Sequence, residues 1–281
     1  MTLPQIPTLQ LNDGYEMPQL GLGTYKLVDD DTEKLVRHAI ELGYRHIDTA
    51  SFYGNEEAVG KAVRDAIKSG DVTREDLFIT TKLWNDQQDK VGESYQESLR
   101  KLGLEFLDLY MIHWPWAQRG LYVQAFEDMA RLQGMGQLQS LGVANFYEEV
   151  LDALIEHTGI TPVVNQVELH VGFMQDELRA YHENKGIVTE AWAPLARGTV
   201  LNNADVKAIA ARHERTSAQV VLNYLLQQGI SVIPKTANPE RLEENMGAVG
   251  FRLTREEMGI LSRIEGERLS HDPRTFPGDL S

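Results

Sequence analysis

The chain contains no cysteine. Disulfides, thiolate zinc sites, iron–sulfur clusters and cysteine nucleophiles are therefore excluded. Basic residues are also scarce: 27 Lys and Arg stand against 42 Asp and Glu, for a net charge of −15. A nucleic-acid binder needs excess cations to neutralise phosphate, and a protein held at an anionic membrane surface needs a polybasic segment. Neither is expected. An anionic small ligand is still compatible, because a few clustered cations build a local basic pocket in an acidic protein. No stretch approaches the roughly 18 apolar residues of a membrane span. The opening MTLPQIPTLQLNDG has no basic start and no apolar run, so it does not read as a signal peptide. A cytoplasmic protein is expected.

What is present is ordinary globular composition, with 42% hydrophobic and 25% charged residues. Short apolar strands alternate with amphipathic segments almost throughout. The strands expected are Leu20–Gly23, His46–Asp48, Leu77–Lys82, Leu107–His113, Ser140–Ala144, Val163–Glu168, Ile187–Ala193 and Ser231–Lys235. Between them, Leu35, Val36, Ala39 and Ile40 share a helix face that Gly43 should terminate. Val59, Val63, Ala66 and Ile67 repeat the pattern, with Asn55 as the expected N-cap. Strands alternating with helices imply parallel pairing. Eight strands suit closure into a (β/α)8 TIM barrel, here a single domain over residues 1–281; an open doubly wound sheet is the alternative. Thr8–Leu11, a turn at Asn12-Asp13-Gly14, and Tyr15–Pro18 read as an N-terminal β-hairpin. The tail from Gly266 to Ser281 should be irregular.

Asp48, Lys82, His113 and Asn145 each end an expected strand, at intervals of 34, 31 and 32 residues. One βα unit of a barrel takes about that length, so all four should emerge at the C-terminal rim, where barrel enzymes keep their chemistry. Taken singly, each has an ordinary reading. Tyr53 is a packed rim tyrosine, Lys82 a surface cation and Asp48 a cap. His113 is the least ordinary, a strand-end imidazole between Ile112 and Trp114. Together they could reduce a carbonyl. That reaction needs a hydride donor, which only a nicotinamide or flavin supplies, and a proton donor to the developing alkoxide. A tyrosine with pKa near 10 is a reluctant donor unless an ammonium lies close. Lys82 could be that ammonium, Asp48 could hold it charged, and His113 could orient the substrate oxygen.

Three segments carry a resemblance to a known family. They are GYRHIDTASFYGNEEAVG from Gly43, ESLRKLGLEFLDLYMIHWP from Glu97 and IPKTANPERLEEN from Ile233. The chain resembles the aldo-keto reductases from end to end, most closely the bacterial 2,5-diketo-gluconate reductase type. The resemblance implies a catalytic tetrad of Asp48, Tyr53, Lys82 and His113, with Tyr53 as general acid. It implies NADPH/NADP+ as cofactor. Asn145 and Gln166 would hold the nicotinamide carboxamide and Trp192 would stack on the ring. Gly23, Thr24, Tyr25 and Asp48 would lie beside it, and Leu195 and Arg197 along the pyrophosphate. Lys235, Thr236, Arg241, Glu244 and Asn245 would grip the adenosine end. Two cations, Lys235 and Arg241, suit a 2′-phosphate dianion. Tyr25, Tyr53, Trp84, His113 and Trp114 would wall a pocket for a small carbonyl such as diketo-gluconate or methylglyoxal. A monomer is implied, and the eight histidines show no metal-ligand spacing, so no metal is expected.

There are departures: Ala144 stands where many members have Ser, Trp192 where Tyr is commoner, and Asn238 where some relatives have Arg. Three other patterns are decoys. Gly21-Leu22-Gly23 lacks the third glycine of a dinucleotide fingerprint, Lys26 occupying its place. Gly54 to Lys61 has one residue too many for a P-loop. Tyr181 and Lys185 match a short-chain dehydrogenase pair, but Met174, Leu178 and Tyr181 read as a packed helix face. Trp116 reads as ordinary packing. Two rival functions are a catalytically idle binding protein on the same barrel and a hydrolase pairing Glu168 with Asp48.

Overall fold

The structure, a computed structural model, describes residues 5–276. A small antiparallel hairpin, β1 (Thr8–Gln10) and β2 (Glu16–Pro18), comes first. Eight parallel strands follow: β3 (Gly21–Gly23), β4 (His46–Asp48), β5 (Phe78–Leu83), β6 (Leu107–Ile112), β7 (Leu138–Ala144), β8 (Val164–Glu168), β9 (Val188–Trp192) and β10 (Ser231–Val232). Each pairs with its sequence neighbour, in the order β10-β9-β8-β7-β6-β5-β4-β3. Parallel bridges from Leu20 to Val232 and from Gly23 to Lys235 join the two ends and close the barrel. The expected fold class is therefore the observed one.

Ten α-helices lie among the described residues: α1 (Asp29–Leu42), α2 (Glu56–Ser69), α3 (Val91–Leu102), α4 (Tyr122–Gly134), α5 (Glu148–Thr158), α6 (Asp176–Lys185), α7 (Ala204–Arg212), α8 (Ser217–Leu226), α9 (Pro239–Met246) and α10 (Arg255–Leu261). Strands covered by helices need apolar residues on both faces, and β5 and β6 are buried at every position. The main core lies between sheet and helices and includes Val36, Ile40, Val63, Tyr95, Phe126, Leu151 and Leu222. A second cluster joins Leu11 and Met17 of the hairpin to Phe78, Leu109, Met111, Val163 and Val164. The hairpin thus plugs the barrel at the N-terminal ends of its strands. Its turn is tied there as well: Asn12 donates to the carbonyls of Pro162 and Gly186, and Ser140 donates to Asp13.

Several sequence expectations resolve differently in detail. β10 spans two residues rather than five, because Pro234 has no N–H to continue the ladder; only its carbonyl takes part, accepting from Gly23. Asn55 sits at the N-cap of α2 but does not cap it. Its buried amide instead donates to the carbonyls of Thr24 and Leu27 and accepts from Thr49. Gly43 terminates α1 as expected, with φ of 105°. The Gly-Leu-Gly decoy has a packing cause: a Cβ on Gly23 would lie 2.8 Å from the Ile233 carbonyl oxygen at the barrel seam. Gly60, the second glycine of the false P-loop, lies inside α2 against the backbone of Leu102. Tyr181 and Lys185 lie on α6 and share Asp152 as a partner, at 2.7 and 3.3 Å. Met174 precedes that helix instead of lying on it.

The tail is irregular from Gly266 to Phe276, and the rest of the expected irregular segment lies outside the described residues. It nonetheless has a fixed path. The Leu269 amide donates to Glu168 at the end of β8, Gln118 donates to the Arg274 carbonyl, and Phe276 packs on Trp114 with ring centroids 4.3 Å apart.

Candidate active site

β4 and β5 are neighbours in register, so their terminal residues share the C-terminal rim. Asp48 ends β4, and Lys82 is the next-to-last residue of β5. Both are buried, and the Lys82 ammonium donates to Asp48 Oδ1 at 2.6 Å. Its other donors reach the Thr49 carbonyl at 2.9 Å and the Tyr53 hydroxyl at 3.4 Å. An ammonium has three N–H bonds, and these three contacts account for all of them. Tyr53 comes from a short 3-10 turn, Ser51–Tyr53, between β4 and α2. Because Lys82 donates to it, the Tyr53 hydroxyl remains free to donate its own proton elsewhere.

His113 follows β6 directly and is buried. Its ring meets Tyr53 edge-on at 5.6 Å and Trp84 at 5.0 Å. The expected tetrad is therefore brought together. Burial, reinforced by the Lys82 ammonium, holds the His113 imidazole well below its usual range, so it is neutral. Burial alone would also pull Lys82 down, but the adjoining Asp48 carboxylate and Tyr53 outweigh it and leave Lys82 raised. For Tyr53 the outcome departs from the sequence argument. Burial pushes its hydroxyl up to about 12, and the opposing pull of Lys82 only moderates the rise.

The residues expected around a cofactor fall into three groups. The first surrounds the tetrad. Asn145 follows β7 in a left-handed conformation, with φ of 62°. Its amide donates to the His113 carbonyl and accepts the Trp192 indole N–H, both at 2.9 Å. Gln166 on β8 donates to Asp48 Oδ2 at 2.9 Å. Thr24 is buried with its hydroxyl on the Asp48 carbonyl at 2.9 Å, so it locks backbone rather than presenting a free donor. Tyr25 beside it is exposed and packs on Tyr53 at 5.1 Å.

The second group lies just beyond β9. Ala193, Ala196 and Arg197 all have positive φ, at 52°, 49° and 51°. Three non-glycine residues in the left-handed region within five positions is a costly arrangement, of a kind that clusters at ligand-binding loops. Leu195 belongs to this turn, and Arg197 is exposed on it. The third group surrounds α9. Lys235 and Arg241 are exposed, whereas Thr236 and Asn245 are buried. Asn238, noted above as a departure, caps α9 by accepting the Glu240 amide at 2.9 Å. Thr236 supports that turn through the Asn238 amide. Glu244, on α9, offers its carbonyl to Gln219.

Around the mouth, Trp84 and Trp114 differ. Trp114 is buried under Phe276. Trp84 stacks face to face on Phe52, 3.8 Å apart at 16°. Phe52 is 49% exposed and was not singled out in the sequence, although it adjoins Tyr53. Glu190 was also missed. It is a fully buried carboxylate within β9, bonded to Gln166 at 2.6 Å and Ser231 at 2.8 Å. The signal for it was a lone charge inside the apolar run IVTEAWA. Glu168, the other half of the rival hydrolase pair, is held by His170 and the Leu269 amide, apart from the bonds that hold Asp48.

Residues 18–265 match the sequence profile described as the aldo/keto reductase family. The chain is 45% identical to the methylglyoxal reductase DkgA of Salmonella typhimurium, over 97% of this chain and 99% of that protein. It is 44% identical to an aldo-keto reductase of Mycobacterium sp. strain KMS, over 96% and 98%. Among solved structures, a mutant of Gox0644 in complex with NADPH superposes with a TM-score of 0.92 at 42% identity, covering 97% of this chain and 99% of that one. The Bombyx mori aldo-keto reductase in complex with NADP gives 0.87 at 36%, covering 93% and 94%.

Proposed function

The chain belongs to the aldo/keto reductase family, and from that premise we propose that it reduces small aldehydes and ketones to alcohols with NADPH, using Tyr53 as general acid. The observation that carries the proposal is the Lys82 ammonium, held by Asp48 at 2.6 Å and donating to Tyr53 at 3.4 Å. That contact favours the negative charge that Tyr53 acquires when it gives up its proton. A substrate oxygen between Tyr53 and His113 would receive the Tyr53 proton. His113, neutral, would donate one N–H to the same oxygen and fix its approach.

The residues present fit the cofactor. Gln166 uses its amide N–H bonds on carboxylates, and its Oε1 accepts no hydrogen bond among the described residues, leaving an acceptor for a carboxamide. Asn145 would be the second carboxamide contact and Trp192 the ring platform. The strained turn at 193–197 would meet the pyrophosphate with Arg197, and Lys235 and Arg241 would take the 2′-phosphate. When bound, NADPH supplies the hydride. The relatives named methylglyoxal reductases support small dicarbonyls as the substrate class.

The test is NADPH oxidation followed at 340 nm with methylglyoxal, diketo-gluconate, aldoses and aromatic aldehydes. Turnover with at least one carbonyl is expected, and Tyr53→Phe should lower kcat by about a thousandfold with NADPH affinity unchanged. Tight NADPH binding without oxidation by any carbonyl would favour the idle binding protein instead.

A further inference from the structure

Glu190 has no role in the chemistry described so far, yet it is among the most deeply buried charged groups of the barrel. Its side chain is completely shielded from solvent. An unpaired carboxylate there would be strongly disfavoured, so its partners must account for its presence. Both oxygens accept hydrogen bonds. Oε1 receives the Gln166 amide at 2.6 Å, and Oε2 receives the Ser231 hydroxyl at 2.8 Å. His46 Nδ1 stands 3.8 Å from Oε2, with a closer contact of 3.3 Å to the Pro18 carbonyl.

The Gln166 amide nitrogen meets two carboxylates, Glu190 at 2.6 Å and Asp48 at 2.9 Å. Carboxylates only accept, so both N–H bonds of the amide are committed and the group cannot flip. Gln166 Oε1 is thereby fixed as a free acceptor. With Asp48 alone, the amide would have one anchor and could rotate about it.

We propose that Glu190 is a positioning residue: it locks the Gln166 amide so that Oε1 faces the cofactor carboxamide, and it sets a second carboxylate beside the Asp48–Lys82 pair. This rests on the functional reading above, in which Gln166 meets the nicotinamide. The charged and titratable groups facing this point are His46 from β4 at 3.8 Å, Asp48 through the shared Gln166 amide, and Lys82 from β5. The Glu190 charge favours the cationic form of Lys82; by the same sign it opposes a negative charge on Tyr53, whose hydroxyl lies 3.4 Å from that ammonium.

Two variants test it, each checked by circular dichroism. Glu190→Met keeps the volume but accepts no comparable hydrogen bond. It should raise the NADPH Kd about tenfold, as should Gln166→Ala, and the double variant should be no worse than either alone. Glu190→Gln keeps the acceptor and removes the charge. It should bind NADPH within about twofold of wild type while moving the rising arm of alcohol oxidation to lower pH by about half a unit. Wild-type affinity in the Met variant, additive losses in the double variant, or an unmoved profile in the Gln variant would each overturn the proposal. If the Met variant does not fold, the Gln profile decides alone. A wild-type protein that neither binds NADPH nor reduces a carbonyl would instead overturn the functional reading itself.

Discussion

Asn145 accepts the indole N–H of Trp192 at 2.9 Å while donating to the His113 carbonyl. One amide therefore joins the expected nicotinamide platform to the backbone of the tetrad histidine. A phenylalanine in place of Trp192 would preserve an aromatic face but leave Asn145 with one partner fewer. Trp192→Phe should weaken NADPH binding about fivefold, the equivalent of one net hydrogen bond. A fluorescence titration checks this, and an unchanged Kd would show that Asn145 needs no anchor.

The raised Tyr53 hydroxyl sets opposite pH dependences for the two directions. Its pKa of about 12 keeps it protonated throughout the neutral and mildly alkaline range. Carbonyl reduction, which needs the proton, should be nearly flat from pH 6 to 9, to within about threefold. Alcohol oxidation needs the phenolate and should rise about tenfold per unit over the same range. Initial rates in both directions across that range are the measurement.

Much of this arrangement was legible from the sequence. The even spacing of Asp48, Lys82 and His113 works because each βα unit returns the chain to the same rim. Tyr53 obeys no such period, because it comes from a turn, so its contact with Lys82 rested on the family resemblance. The Gln166–Glu190 bond was illegible: the two residues are register partners on the adjacent strands β8 and β9, and no local pattern says which residues of neighbouring strands will stand side by side. Asn55 misled for a related reason. An asparagine before a helix reads as a cap, but here the nearby carbonyls of Thr24 and Leu27 claim its amide.

Lys235 and Arg241 should discriminate between cofactors. Both are exposed near the start of α9 in an otherwise strongly acidic protein. Lys235→Ala should raise the Kd for NADPH by about tenfold or more and leave that for NADH within about twofold, since only the former carries the 2′-phosphate. Parallel titrations with the two nucleotides decide it; equal losses would remove Lys235 from that role.

The stacked pair of Phe52 and Trp84 offers a flat apolar edge at the mouth. Aromatic contacts contribute about 1 kcal/mol beyond simple burial. Phe52→Ala should therefore raise KM for aromatic aldehydes about fivefold while changing that for methylglyoxal little. Comparison of the two substrates on one variant separates this from a general loss of activity.

Acid should destabilise the barrel partly through His182. Burial, with Arg179 adding to it, lowers this histidine to about 4. Its Nε2 accepts from Asn165 at 2.9 Å, and its Nδ1 pairs with Thr189 at 2.8 Å. The unfolded chain binds a proton below about pH 6.5, whereas the folded one resists until about 4. The linked stability is present above 6.5 and is lost as pH falls toward 4, on the order of 3 kcal/mol in all. His182→Gln should be less stable at pH 7 but show a flatter dependence of Tm on pH in that window.

The path of the tail has a consequence for how such a chain can diverge. Tyr53 and Lys82 lie within the stretch that matches the family profile, which stops at residue 265. Leu269 and Phe276 lie beyond it, fastened to Glu168 and laid over Trp114. Phe276 is thus laid over Trp114 on a barrel whose buried Asp48–Lys82 pair comes from earlier strands. The groups proposed to reduce the carbonyl and this cover over Trp114 are therefore written in separate stretches of the chain. Changes confined to the tail can alter what lies over Trp114 without touching Tyr53 or Lys82.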